Sequence, residues 1–401
     1  MLNYRREPEE PEEKKIRLTF PFTISHTTQT KHQKETTSTM HFEYFPTEII
    51  SHVFMSCDSV DDVIALSGAC HRFRGIYSSS RKLTILQAAA ESQYGPLEDA
   101  TQLVTHNASQ PAHIKRNPPF SFALLKQLVH VGRVAEKWCD IYPFKKWKDN
   151  FQDRRLLSSE ERYRLRRALY RLWLYTRAFH NAAFPRTQRM NLQAIHQRAE
   201  LLHNWSTEEL AEVADVHGIL REVVHTNVCP SNGTIARKFK KRYPETDHQL
   251  LFNIHLNYPP PPFSAPFPQS EFHNPPPAQH NTMLHQYHHS AAITAKYHQS
   301  KFTATAYHEP GAEGWGDDIG HYYVVEDMLK LDPEQILWLK ENAPLKGMVE
   351  GYVRGLGEWF ENNGETFGQT VEWVLRERGE DVSEVGEAIA VGELGIALVE
   401  D

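Results

Sequence analysis

FPTEIISHVFMSCDSVDDVIALSGACHRFRGIY, residues 45–77, places three short helical signals in succession. Pro46 suits the first turn of a helix, where its missing N–H has no intrahelical partner, and Glu48 complements the positive end of the helix dipole. Ile49, Ile50, Val53 and Phe54 then give one apolar face. A break at 57–59 leads into a second helix, capped by Ser59 or Asp61, with Val63, Ile64 and Leu66 apolar. A third turn carries Cys70, Phe73 and Ile76 at helical spacing, with His71, Arg72 and Arg74 between them. Helices this short bury little core on their own. They need a second surface, either the chain's own body or another protein.

The order of these residues resembles the F-box, a family with a Leu-Pro-x-Glu opening, branched apolar residues, an Asp-Leu-like second helix and a Cys-Arg-Phe-like ending. The matching residues are Phe45, Pro46, Glu48, Ile49, Ile50, Val53, Phe54, Asp62, Val63, Leu66, Ser67, Cys70, Arg72 and Phe73, about a tenth of the chain. Phe45 stands where the family has Leu. The resemblance implies a segment that docks on a Skp-type adaptor, and through it on a cullin ubiquitin ligase. The rest of the chain would then hold an unknown protein substrate for ubiquitination. On that reading the adaptor-binding residues are Phe45, Pro46, Glu48, Ile49, Ile50, Val53, Phe54, Val63, Ile64, Leu66, Cys70 and Phe73. The competing reading is a helical hairpin packed on the chain's own body. The mixture of histidine, proline and long linker segments is similar to fungal proteins of this class.

Working outward, residues 81–94 read as a helix, with Leu83, Leu86, Ala90 and Tyr94 at spacings of three and four. Residues 121–140 form another, with Ser121 as cap and Leu124, Leu128, Val131, Ala135 and Trp138 on one stripe. The strongest signal is 158–181. Ser158 and Glu161 make a capping-box pattern there, ahead of Leu165, Leu169, Leu172, Trp173, Thr176 and Phe179. Ser206 and Glu209 repeat that pattern for 206–224. Further helices are expected at 324–331, 333–342, 345–362 and 366–378, the second opened by Asp332 and Pro333. The final stretch, VGEAIAVGELGIALVED, reads as a glycine-broken peripheral tail.

The fold class is therefore all-α. The organisation expected is a disordered extension at 1–39, the F-box at 40–80, a helical bundle at 81–228, a Pro/His/Gln-rich disordered linker at 229–312 and an acidic helical unit at 313–401 that packs back on the bundle. The linker carries nine prolines within 259–277, a composition that cannot bury enough apolar surface to offset its chain entropy. Alternating Phe252, Ile254, Leu256 and Tyr258 suggest a short edge strand before it. Met40 directly precedes the F-box pattern, and an alternative start there is a hypothesis that N-terminal mass spectrometry decides.

Charge divides the chain. Residues 309–401 hold 22 Asp+Glu against 6 Lys+Arg, a balance of −16, while the preceding part holds 29 against 38, a balance of +9. Within it, Arg162, Arg164, Arg166, Arg167 and Arg171 on one helix make a possible basic patch. Its simpler reading is a solvated face partly paired with the acidic C-terminal unit. Lacking a nucleic-acid motif, the chain is not expected to bind nucleic acid. The four cysteines show no C-x-x-C and no regular spacing, which points to a reducing compartment, cytoplasmic or nuclear. No segment reaches the roughly twenty apolar residues that span a bilayer.

Two constellations invite chemistry. His285, His288 and His289 stand at metal-ligand spacing, but in a polar linker without a fixed carboxylate, so no metal or cofactor is expected. Trp315, Asp317, Asp318, His321, Glu326 and Asp327 gather acids and a histidine, and acid–base work would need them in one pocket. No nucleophile elbow, phosphate loop or H-E-x-x-H motif is present, so a non-catalytic role is expected. The alternatives are an F-box regulator acting outside ubiquitin transfer and a basic helical nucleic-acid-binding protein. An orphan enzyme centred on residues 315–327 comes last. No 40-residue blade period or leucine-rich repeat identifies a substrate-reading domain.

Overall fold

Local capping decides where the long helices begin. Ser121 Oγ accepts from Leu124 N at 3.2 Å, and Ser158 and Ser206 each close a capping box with the glutamate three residues on. Asp332 does the same with Gln335, just ahead of Pro333. These details come from a computed structural model, which describes residues 44–230, 325–343, 346–357, 359–360 and 363–398. The described residues are helical, without strands. The all-α class holds.

In chain order the helices are α1 (Thr47–Met55), α2 (Val60–Ala69), α3 (His71–Tyr77), α4 (Lys82–Tyr94), α5 (Leu97–Thr105), α6 (Phe122–Lys146), α7 (Ser159–Phe179), α8 (Leu192–Leu202) and α9 (Thr207–Val223). A π-helical turn, Val224–Val228, extends α9. After it come α10 (Val325–Met328), α11 (Pro333–Asn342), α12 (Lys346–Gly355), α13 (Phe367–Glu377) and α14 (Val382–Val391).

Helix α7 is the axis. Leu165, Leu169, Leu172, Trp173, Thr176 and Phe179 are all buried, as are Ala168, Tyr170 and Tyr175 on its other faces. α5, α6 and α9 pack around it, and α4 lies on α6. The later helices close the remaining sides: α13 lies on α8 and α9, α11 on the π turn, α6 and α9, and α14 on α9. Buried polar contacts fix this arrangement. Tyr175 Oη lies 2.9 Å from both Thr366 Oγ1 and Thr370 Oγ1, and Trp138 Nε1 donates to the Pro333 carbonyl at 3.1 Å. One hydrophobic core runs from Ile50 to Ala397 through all of these elements.

Several expectations change. Helices α5 and α8 were not anticipated. The helix expected over 345–362 is shorter: α12 ends at Gly355, and Gly357 takes a left-handed φ of +82°. The C-terminal tail is not peripheral. Helix α14 stops at Gly392 in the left-handed conformation, and the chain beyond it turns inward so that Ile396 is fully buried. Its amide donates to Asp215 Oδ2 at 3.1 Å, a carboxylate that also accepts from Tyr142 Oη at 2.6 Å and pairs with Lys146 at 2.9 Å. The possible strand at 252–258 lies outside the described residues.

Candidate functional site

The first three helices form a small module roofed by α4, on which α1 and α2 pack. Ser59 caps α2, accepting from Asp62 N at 3.0 Å. The Val60 amide then donates to Gln93 Oε1 at 3.1 Å, tying the start of α2 to α4. Cys70 caps α3 through its sulfur, which accepts from Phe73 N at 3.4 Å. Arg72 Nη2 donates to the Phe45 carbonyl at 2.7 Å, holding the segment ahead of α1 against α3.

The module has an inside and an outside, and the expected adaptor residues divide between them. Ile50, Phe54, Val63 and Phe73 belong to the chain's own core. Phe54 is edge-on to Phe73 at 6.3 Å between ring centroids and stacks on Tyr77 at 6.1 Å. Four of the twelve residues expected at the adaptor face thus lie inside the module in this structure. Cys70 serves first as a cap. Pro46 and Glu48 are exposed at the head of α1, while Phe45, Val53 and Leu66 are half-buried. Ile49 and Ile64 are the outward apolar groups, 46% and 52% exposed. Ile49 and Val53, four residues apart, share one stripe of α1. Met55, also exposed, and the Arg72 contact were not anticipated. Nothing in the period of the sequence marks either.

The arginines of α7 do not present an open basic patch. Arg162 pairs with Glu136 and lies 3.4 Å from Asp140, and Arg164 reaches Glu160 at 3.5 Å. Arg166, buried, donates to the Gly95 carbonyl at 2.8 Å and to Glu136 at 2.8 Å. Arg167 takes Glu212 at 2.6 Å, and Arg171 takes Asp99 at 2.7 Å and Glu209 at 3.0 Å. Their carboxylates come from α5, α6, α9 and α7 itself rather than from the acidic C-terminal unit. Burial pushes the Asp99 and Glu212 carboxyls up, and the neighbouring arginines offset that only in part. Four of the five arginines of the expected patch make a seam of ion pairs with neighbouring helices, and Arg164 pairs within α7.

Of the acid–histidine window, Asp327 alone has a described side chain. It is buried and holds Arg186 at 2.7 Å. The histidines at 285–289 lie outside the described residues. Among the described residues no three His, Cys, Asp or Glu side chains gather as metal ligands, and no helix is long and apolar enough to cross a membrane. No family model, curated protein or solved structure matches the chain.

Proposed function

We propose that the protein is a non-catalytic F-box subunit, which docks on a Skp-type adaptor through the outer face of α1–α3 and presents a protein substrate to a cullin ubiquitin ligase. The observation that carries this reading is the two-sidedness of the module. Its inner residues are satisfied by α4, while Ile49 and Ile64 remain outward, with half-buried Val53 on the same stripe of α1 as Ile49. A helical hairpin serving only the chain's own core has no use for that outer stripe. Covering a large apolar side chain fully contributes about 1.5–3 kcal/mol before ordering costs, so a few such residues suffice for a stable contact. Exposed Pro46 and Glu48 set the start of the docking helix. The work of such a subunit lies in the cytoplasm or nucleus, where its adaptor and cullin act.

The test is co-purification of the full chain with a Skp-type adaptor. Wild type is expected to capture it stoichiometrically, and Ile49→Asp combined with Pro46→Ala to lose it while keeping the wild-type melting temperature. No capture by wild type would sink the reading. A substrate-linked ubiquitin chain in the reconstituted complex separates a substrate receptor from a regulator that merely holds the adaptor. The nucleic-acid reading is weakened by the α7 seam, whose arginines are already engaged by carboxylates.

A further inference from the structure

A pocket of about 100 Å³ opens between α5, α7, the end of α8 and the segment 112–115. That is several times the space one water needs. Its walls are fixed before any ligand arrives. Gln102 on α5 holds the backbone of Arg116, its Nε2 donating to the carbonyl at 2.8 Å and its Oε1 accepting from the amide at 2.8 Å. Asn204, just after α8, donates to the His113 carbonyl at 3.0 Å, and His113 Nδ1 lies 3.0 Å from Glu200. Buried Leu174, Leu201 and Trp205 make the apolar side. The Arg171 guanidinium, 5.4 Å from the centre of the Trp205 ring, steadies that wall.

The polar side is acidic. Asp99 Oδ1 accepts from Arg171 Nε at 2.7 Å, and among the described residues no hydrogen bond is made to Oδ2. Arg171 does not serve Asp99 alone, because its Nη1 lies 3.0 Å from Glu209. Glu209 in turn lies 3.4 Å from Arg167, which holds Glu212 at 2.6 Å. Three carboxylates thus share two guanidinium groups in one connected chain. Burial pushes the Asp99 carboxyl up, Arg171 offsets this only in part, and Glu98 adds to the rise. Glu98 itself meets Lys115 Nζ at 2.8 Å, both side chains being largely exposed. An ammonium of the chain's own therefore already rests on the pocket's outer carboxylate. Arg116, next in sequence, gives its guanidinium to the Gln102 carbonyl and Thr105 Oγ1 instead of to an acid.

We propose that this pocket binds an alkylammonium group, its charge meeting Asp99 and Glu98 and its hydrocarbon stem lying along Leu174, Leu201 and Trp205. An ammonium is a compact point charge with three donors, which suits a pocket of this size. Its arrival brings the Asp99 chain to three cations for three carboxylates. A lysine side chain of another protein and a free alkylamine offer the same group. The site does not rest on the adaptor reading.

The experiment is a saturation-transfer NMR titration of the full-length protein with n-butylammonium chloride at constant ionic strength, beside n-butanol as the uncharged counterpart. Wild type is expected to bind n-butylammonium saturably and about tenfold or more tighter than n-butanol, the worth of a charge-assisted hydrogen bond. Asp99→Asn should lose that advantage. Ala112→Leu, which fills the pocket with every charge in place, should abolish saturable binding. Lys115→Ala, at an exposed position, should strengthen binding by removing the competing ammonium. No saturable binding by wild type overturns the proposal, as do equal affinities for amine and alcohol, or binding that Ala112→Leu leaves unchanged. Should Asp99→Asn fail to fold, Ala112→Leu and the alcohol still decide. A second titration uses a blocked pentapeptide with one central lysine between glycines. Tighter binding of the peptide than of n-butylammonium supports the site and assigns it to protein lysines, whereas the reverse order supports it and assigns it to free amines.

Discussion

Ile49 and Ile50 are neighbours in sequence and opposites in consequence. Successive residues of a helix are about 100° apart, so a run of two adjacent apolar pairs covers a wide arc. Which part of that arc meets the chain's own core depends on where α4 lies, and no local pattern contains that information. The apolar residues of α1 were legible; their division into inside and outside was not. A direct comparison follows. Ile49→Asp and Ile64→Asp, on exposed positions, should change folding stability by less than about 0.5 kcal/mol, whereas Phe54→Ala should cost about 3–5 kcal/mol. Urea denaturation of the three variants measures both, and a large loss in Ile49→Asp would show that its stripe is structural. The cysteines divide in the same way. Burial pushes the Cys139 thiol up to about 12, and Cys229 is fully buried, while Cys57 and Cys70 are partly exposed. A thiol reagent at about pH 8 should therefore label Cys57 and Cys70 in the native protein, and Cys139 and Cys229 only after denaturant is added.

Whole elements were most legible where their signals are local. A capping box spans four residues, so Ser158–Glu161 and Ser206–Glu209 could be read without knowing anything distant, and both form. The overlooked helices have weaker signatures. α8 offers Asn191 as cap and Ala194, Ile195, Ala199 and Leu202 as an inner face, but polar Gln, His and Arg residues interrupt them. α5 is nine residues long, with Leu97, Ala100 and Leu103 buried. The α7 seam was invisible for another reason: its acids come from helices up to dozens of residues away. Two element-scale outcomes are expected in thermal denaturation. Ser158→Ala should cost about 1 kcal/mol by removing one cap of α7. Gly132→Ala should cost about 1–3 kcal/mol, because α6 crosses α4 so closely that a Cβ there would sit 2.4 Å from the Tyr94 ring. A neutral Gly132→Ala would mean that the two helices can separate freely.

At the scale of the whole molecule, the C-terminal helices meet the earlier ones over buried His180 and half-buried His217, and this couples stability to pH. His180 lies against Thr366, and His217 lies near Glu365 and packs on Phe367. Burial is the main reason that both imidazoles take a proton less readily than usual; the surrounding cations add to this at His180, and Glu365 partly opposes it at His217. His106 is shifted in the same direction. An unfolded chain binds protons at these positions near pH 6.5, while the folded chain refuses them until the pH is lower. Over that window the unfolded state holds more protons, so stability is complete above about pH 6.5 and falls as the solution is acidified. Each histidine contributes up to about 1.4 kcal/mol per pH unit. Asp99 and Glu212, whose carboxyls are pushed up, act in the opposite sense, and their window lies lower, nearer the ordinary carboxylate range. The urea midpoint should therefore drop between about pH 7 and pH 5.5, before ordinary carboxylates titrate. His180→Gln, which keeps a donor toward Thr366 but cannot take a proton, should flatten that slope. An unchanged slope in His180→Gln, with the variant folded, would place the acid sensitivity elsewhere than at this junction.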